Sequence, residues 1–332
     1  MKDITVGILG AGRIGQVHGD NLLRMKGVRL KAVADPYADF QDWPGPGIAT
    51  GTDPELVLAD SEIDAVLICS PTPTHADFTE SAARAGKHIF CEKPIDLDPA
   101  RILRTLAVVG EAGVNLQVGF NRRFDPTFSR VRRAVEDGDV GDLHLVKITS
   151  RDPEAPPVEY VKTSGGIFLD MTIHDFDMVR FLTGSEVEEV HAMGAVLVDP
   201  AIGEAGDIDT AVTTLRMSNG ALAVIENSRQ AVYGYDQRVE VFGSKGSAEA
   251  ANETANRVTF SSSEGVRSDT PLYFFLERYQ ASFVAELEEF FESVRENSEP
   301  PVGGRDGLMS VLIGLAAGRS LAENHPVKVE AP

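Results

Sequence analysis

Four sets of residues in this chain have the types and spacing that chemistry requires. The first is a glycine turn, Gly10-Ala11-Gly12-Arg13-Ile14-Gly15, placed directly after an apolar run and opening an amphipathic stretch. In a Gly-x-Gly-x-x-Gly turn the first glycine permits the tight bend and the second lets backbone approach a pyrophosphate. The third lets helix and strand pack closely. The phosphate charge then rests on the amides of a helix N-terminus. Asp35 closes the next apolar run, 20 residues after Gly15, where a carboxylate suits a ribose 2′-hydroxyl. A lone glycine motif is weak evidence, but this order of strand, turn, helix and acid predicts a bound dinucleotide. A carboxylate repels a 2′-phosphate, and no lysine or arginine stands between Lys31 and Arg84 to offset it. The predicted cofactor is therefore NAD, with Arg13 and Ile14 in its phosphate turn. Ser70, Pro71 and His75, after the third apolar run, complete the candidate cofactor contacts.

The second set is Glu92-Lys93-Pro94, immediately after a short apolar run at residues 88–91. Ligands of open α/β sheets bind beyond the carboxyl ends of the strands, which would bring Glu92 and Lys93 to the nicotinamide end of the cofactor. The competing reading is a surface lysine with its stem on apolar surface. The third set is Asp170 and His174, four residues apart in a stretch predicted to be one helix over residues 170–182. That spacing stacks both side chains on one helix face. A carboxylate beside an imidazole suits proton removal from a hydroxyl as a hydride leaves the same carbon. The competing reading is a satisfied core histidine, made less comfortable by Asp170, Asp175 and Asp177 around it. A metal held by Asp170, His174 and Asp177 lacks a second His or Cys nearby, so no metal is expected. The fourth set is Asn121-Arg122-Arg123, where the first domain is expected to end, with structural salt bridges as the alternative. Tyr233, Tyr235 and the loop at residues 152–157 are further candidates for contacts to a hydroxyl-rich ligand.

These residues need elements to hold them. Residues 1–122 alternate short β-branched runs (4–9, 30–35, 65–70, 88–91 and 115–120) with amphipathic stretches (14–25, 75–85 and 99–112). This alternation predicts right-handed crossovers and a parallel sheet covered on both faces, a Rossmann dinucleotide-binding domain. After Asp35, Trp43-Pro44-Gly45-Pro46-Gly47 reads as loop where a crossover helix would be ordinary. Residues 123–332 change character. Strand patterns at 143–151, 187–196, 210–217, 221–229, 238–242 and 257–261, with Asn219-Gly220 as a hairpin turn, predict an α+β domain with a large, mainly antiparallel open sheet. Two late helices, near 276–297 and 305–324, are expected to close the chain.

Composition narrows the partners. A chain of 332 residues exceeds one ordinary core, so two domains are expected. With 31 basic against 51 acidic residues the net charge is −20, which would repel nucleic acid and anionic membranes. No apolar run approaches the roughly 18 residues of a membrane span, and the opening residues lack a cleavable-signal layout. The expected location is the cytoplasm. Cys69 and Cys91 lack a CxxC spacing and are expected to be small buried hydrophobes.

Taken together, the glycine turn, Glu92-Lys93-Pro94, the stretch from Gly119 through Arg123 to Asp125 and the stretch from Gly165 to Asp177 resemble the glucose–fructose oxidoreductase/inositol dehydrogenase family, Gfo/Idh/MocA, over nearly the whole chain. Gly304-Arg305-Asp306-Gly307-Leu308 also fits. The stretch ending at Asp177, preceded by Ser150-Arg151-Asp152-Pro153, resembles the inositol 2-dehydrogenase branch. The resemblance implies a catalytic set of Lys93, Asp170 and His174. In it His174 is the base, Lys93 hydrogen-bonds the reacting oxygen, and Asp170 binds an adjacent hydroxyl. It also implies polyol contacts from Asn121, Arg123, Asp152 and Tyr233, with Tyr235 the alternative to Tyr233. It further implies NAD-dependent oxidation of myo-inositol or a close cyclitol in inositol catabolism, and a homotetramer pairing through the open sheet face. An aldose or sugar-acid dehydrogenase is the nearer rival, and a dinucleotide-binding sensor that no longer catalyses is the more distant one. The proline-glycine loop after Asp35 departs from the family pattern and puts the adenine pocket in doubt.

Overall fold

The computed structural model describes residues 3–330. Among the described residues two compact units emerge, one of residues 3–121 with 281–309 and the other of residues 122–280 with 310–330. The segment 281–309, expected with the second domain, packs with the first.

The first unit is built on six parallel strands: β1 (Ile4–Leu9), β2 (Val28–Ala34), β3 (Ala49–Gly51), β4 (Ala65–Ile68), β5 (His88–Glu92) and β6 (Leu116–Gly119). Their order, β3-β2-β1-β4-β5-β6, reverses direction between β1 and β4, the switch point where doubly wound sheets bind ligands. β1 and β4 are buried along their whole length, as strands covered on both faces must be. Helix Arg13–Leu22 follows β1, His75–Arg84 follows β4 and Pro99–Ala112 follows β5. The last opens on Asp98, whose side chain accepts the Ala100 amide, and closes on Gly113 at φ 67°. Leu287, Phe290 and Phe291 of helix Gln280–Glu296 join Val6, Ile8, Leu30 and Phe90 in one core. This is why the late segment belongs to the unit: packing its aromatic face against these strands removes apolar surface from water.

The loop after Asp35 contains no helix, as its prolines and glycines require. Trp43 anchors it. The indole lies where a side chain at Gly19 would sit, a Cβ there falling 2.3 Å from the ring, and its Nε1 donates to Asp20 at 2.9 Å. The short edge strand β3 and the one-turn helix Glu55–Leu58 then complete the crossover. Neither was foreseen, because so few residues show no periodicity.

The second unit carries a seven-stranded sheet of β7 (Leu143–Arg151), β8 (Val187–Ala195), β9 (Thr210–Met217), β10 (Leu222–Ser228), β11 (Asp236–Gly243) and β12 (Gly246–Ala250), with β15 (Val327–Lys328) at one edge. All pairs are antiparallel except β10 with β7. The Asn219-Gly220 turn joins β9 to β10, with Gly220 at φ 88°. β13 (Thr259–Ser262), expected in the main sheet, instead pairs only with β14 (Gly265–Ser268) as a separate exposed hairpin. Its residues lack the apolar alternation that would bury one face.

Among the described residues no helix is long and apolar enough to cross a membrane. Cys69 and Cys91 are buried free thiols, and burial pushes Cys91 up to about 12, so both act as hydrophobes.

Candidate active site

In the first unit the glycine turn has the geometry of a phosphate cradle. Gly10 sits at φ 101°, and a Cβ there would fall 2.5 Å from the Cys69 carbonyl carbon and the Ser70 nitrogen at the end of β4. At Gly15 a Cβ would fall 2.0 Å from the Gly10 carbonyl oxygen. Gly12 faces open space, with nothing within 4 Å of its Cβ position, so a bulky anion can approach its backbone. Helix Arg13–Leu22 begins there with Gly12 as its N-cap and no side-chain cap, which leaves its first amides for a ligand. Asp35 accepts the Ala11 amide on Oδ2 at 2.7 Å and the Tyr37 amide on Oδ1 at 2.8 Å. It thus locks the turn to the end of β2 and retains lone pairs for a ribose diol. These residues fit a dinucleotide.

His75 is buried, and both its ring nitrogens meet carbonyls: Nδ1 to Pro94 at 2.7 Å and Nε2 to Ser70 at 2.6 Å. Burial lowers its proton affinity. The ring therefore ties the ends of β4 and β5 together and presents no free polar atom to a ligand. Ser70 Oγ pairs with Thr74 Oγ1 at 2.6 Å. Lys93, half-buried, follows β5 and is joined to Pro94 by a cis peptide. Asn121 is buried where β6 gives way to the turn Asn121–Phe124.

In the second unit the expected single helix over residues 170–182 is two. Helix Gly166–Asp170 ends, Met171 and Thr172 intervene, and helix Ile173–Thr183 begins. The Thr172 amide reaches five residues back to the Ile167 carbonyl, and the His174 amide three residues back to Met171. The four-residue spacing of Asp170 and His174 is thus not that of one regular helix face. The cause is tertiary: Thr172 Oγ1 is held by Asn227 Oδ1 at 2.9 Å, and Asp175 by Asn227 Nδ2 at 2.7 Å and Arg122 Nη1 at 2.6 Å. His174 lies between two residues pinned to the sheet, on a rigid mount.

Asp170 takes partners that its spacing did not announce. Tyr160 donates to Oδ1 at 2.7 Å, and Arg229 Nη2 stands 3.0 Å from Oδ2. The other arm of Arg229, Nη1, is 3.6 Å from Asp152 Oδ2. Burial, opposed by Arg229 and helped by the Asp170 charge, raises Asp152 to about 6. Arg229 and Tyr160 are the residues sequence reading missed. A lone arginine at the end of a strand gives no periodic signal. Its burial, only 3% exposed, is a product of the fold.

The arginines of the Asn121-Arg122-Arg123 set both form salt bridges. Arg123 grips Asp177 with two arms, Nε at 2.8 Å and Nη2 at 2.5 Å. Arg122 is buried against Asp175, Ser150 Oγ and Tyr235 OH. That contact places Tyr235 in the core. Tyr233 is exposed, donating to Asp236 Oδ2 at 2.5 Å and accepting from Arg151 at 2.8 Å.

Comparison with known proteins bears on the whole chain. Residues 4–120 match the family model described as "Oxidoreductase family, NAD-binding Rossmann fold", and residues 128–249 match that of the GFO/IDH/MocA C-terminal domain. An uncharacterized oxidoreductase of Bacillus subtilis is 52% identical, with 99% of this chain and 97% of the relative covered. A myo-inositol 2-dehydrogenase of Thermotoga maritima is 49% identical, covering 98% and 99%. The solved scyllo-inositol dehydrogenase of Lactobacillus casei, with bound NAD(H) and scyllo-inositol, superimposes with a TM-score of 0.92 at 33% identity, covering 99% and 100%.

Proposed function

The chain belongs to the Gfo/Idh/MocA family of NAD-binding oxidoreductases, and from that premise we propose that it oxidises a secondary alcohol of myo-inositol, or of a close cyclitol, to the inosose. The observation that carries this reading is end-to-end similarity to inositol dehydrogenases, at 49% identity to one acting on myo-inositol. The polar set Asp152, Asp170, Tyr160 and Arg229 supports it, since a cyclitol is neutral and presents hydroxyls on every carbon. Charged and hydroxyl side chains can pair such a ring, whereas an apolar slot would strand its hydroxyls.

Bound NAD supplies the hydride acceptor. We assign Lys93, Asp170 and His174 as catalytic residues. His174 takes the hydroxyl proton, and Lys93 donates a hydrogen bond to the same oxygen, favouring its deprotonation. Asp170 accepts from a neighbouring hydroxyl, its carboxylate oriented by Tyr160 and Arg229. Asp152, Asn121, Arg123 and Tyr233 are proposed polyol contacts, with Arg123 also holding the mount through Asp177. Gly10, Gly12, Arg13, Ile14, Gly15 and Asp35 hold the cofactor, helped by Ser70, Pro71, Glu92 and Lys93, while His75 positions their loops.

A homotetramer is proposed as the working form. Phe242, Leu145 and Leu222, adjacent in register, and the pair Val212 and Met193 are exposed apolar residues of the large sheet, which supports an association surface there. The proposed setting is cytoplasmic cyclitol catabolism. The deciding experiment is NADH absorbance with purified protein, NAD and a panel of inositols and aldoses. Turnover of cyclitols is expected; turnover of an aldose with none of any cyclitol would overturn the substrate assignment.

A further inference from the structure

Beneath Glu92 the first unit encloses a polar cluster that nothing in the cofactor site uses. The Glu92 carboxyl lies over Gly119, its neighbour in register on β6, where a Cβ would fall 3.1 to 3.2 Å from the carboxyl atoms. His18 Nε2 is 2.9 Å from Glu92 Oε1 and 4.0 Å from Glu286 Oε1, and one donor atom from each residue lies within 4.8 Å of the others. His18 and Glu286 have no exposed surface. The imidazole stands edge-on to Phe90 at 5.1 Å and to Phe283 at 5.7 Å. Neither carboxyl oxygen of Glu286 has a hydrogen-bond partner, nor has Gln117 Oε1 or Ser282 Oγ beside it. The Gln117 amide is spent on the Glu286 backbone carbonyl at 2.7 Å.

A buried carboxyl with two unsatisfied oxygens is strongly disfavoured as an anion, because burial strips its hydration without replacement. Two carboxylates this close in an apolar box cannot both ionise. Burial first, and the Glu92 charge second, raise the proton affinity of Glu286 well above the ordinary carboxyl range. The titratable groups facing it are Glu92 from β5, His18 from helix Arg13–Leu22 and the Cys69 thiol after β4, itself pushed up by burial. With Glu92 the carboxylate, His18 donates from Nε2, a tautomer assigned from its partner.

We propose that Glu286 is a neutral acid and that, with His18 bound to Glu92, it keeps Glu92 the one carboxylate of this cluster at the cofactor end of β5. Glu286 and His18 are then positioning residues. One fixed negative charge results, on the residue that precedes Lys93, and the assignment of Glu92-Lys93 to the cofactor site underlies this role. The same donor set would suit a divalent cation, the competing occupant that elemental analysis distinguishes.

The test is an infrared difference spectrum of wild type against Glu286→Gln, on the NAD-free protein at neutral pH. The carbonyl stretch of a protonated carboxylic acid is expected in wild type and absent from the variant. Glu286→Gln keeps a proton donor and should hold kcat and the KM for NAD within about twofold. Glu286→Leu should raise the KM for NAD roughly tenfold, about 1.4 kcal/mol, with little change in the polyol KM. A difference spectrum showing only ionised carboxylate overturns the proposal. So does a Gln variant as impaired as the Leu variant, or a stoichiometric divalent cation in elemental analysis. Calorimetric NAD binding by wild type checks the cofactor site separately: failure there sinks that reading and leaves the infrared result standing.

Discussion

Arg229 Nη2 stands 3.0 Å from Asp170 Oδ2, a link across 59 positions of sequence that ties the end of β10 to the end of helix Gly166–Asp170. Because its second arm reaches toward Asp152, one buried guanidinium organises both carboxylates of the proposed polyol site. Arg229→Met keeps the bulk and removes the charge. Loss of about 1.5–3 kcal/mol per charged contact corresponds to a fall of roughly 10- to 100-fold in kcat/KM for the polyol. NAD affinity should not move. Steady-state kinetics with calorimetric NAD titration checks both halves of this expectation.

Asp152 makes stability depend on pH. Its folded value of about 6 lies above the roughly 3.9 of an unfolded aspartate, so between these the folded chain binds the extra proton. The resulting stability is complete below about pH 4 and is lost as the pH rises through about 6. Asp152→Asn cannot titrate and should flatten this part of the profile. Denaturant midpoints of both proteins from about pH 4 to pH 7 would show it; parallel profiles would contradict the assignment.

The pair Arg122–Asp175 is buried on both sides, at 2.6 Å. Removing only one partner strands a charge, and Asp175→Asn should cost about 3–5 kcal/mol of stability. Replacing both with apolar residues of similar size should cost less than the single change. Equilibrium unfolding of the single and double variants measures the difference. Because Asp175 adjoins His174, the single variant should also lose turnover at temperatures where it remains folded.

Asp35 is the residue proposed to set the choice of nucleotide. Asp35→Ala removes the carboxylate that repels a 2′-phosphate and frees the Ala11 and Tyr37 amides. The preference for NAD over NADP, measured as a ratio of kcat/KM values, should fall at least about tenfold, chiefly through weaker use of NAD. An unchanged ratio would remove Asp35 from the ribose site.

The parallel-sheet unit was legible because its signals are local. Residues 4–9 and 99–112 coincide with β1 and with helix Pro99–Ala112, where β-branched runs, Asp98 and Gly113 mark the ends within a few residues. The glycine turn is equally local, since backbone sterics at Gly10 and Gly15 permit little else. Asp170 and His174 were recognisable as chemical residues, but their relation was not. A four-residue spacing reads as one helix face, and only the distant Asn227 and Arg122 show why the ladder breaks at Thr172.

By itself, then, the sequence determined the dinucleotide turn with an acid closing the next strand, the alternation of strand and helix before residue 122, and the presence of a lysine, an aspartate and a histidine fit for alcohol oxidation. Tertiary structure alone decided that Arg123 grips Asp177, that Arg229 serves Asp170, and that Glu286 returns to stand behind Glu92. The physical reason is range. Turn geometry and periodicity are set by neighbours a few residues apart. What a buried charge pairs with depends on which segments the core brings together, and no local pattern encodes that meeting.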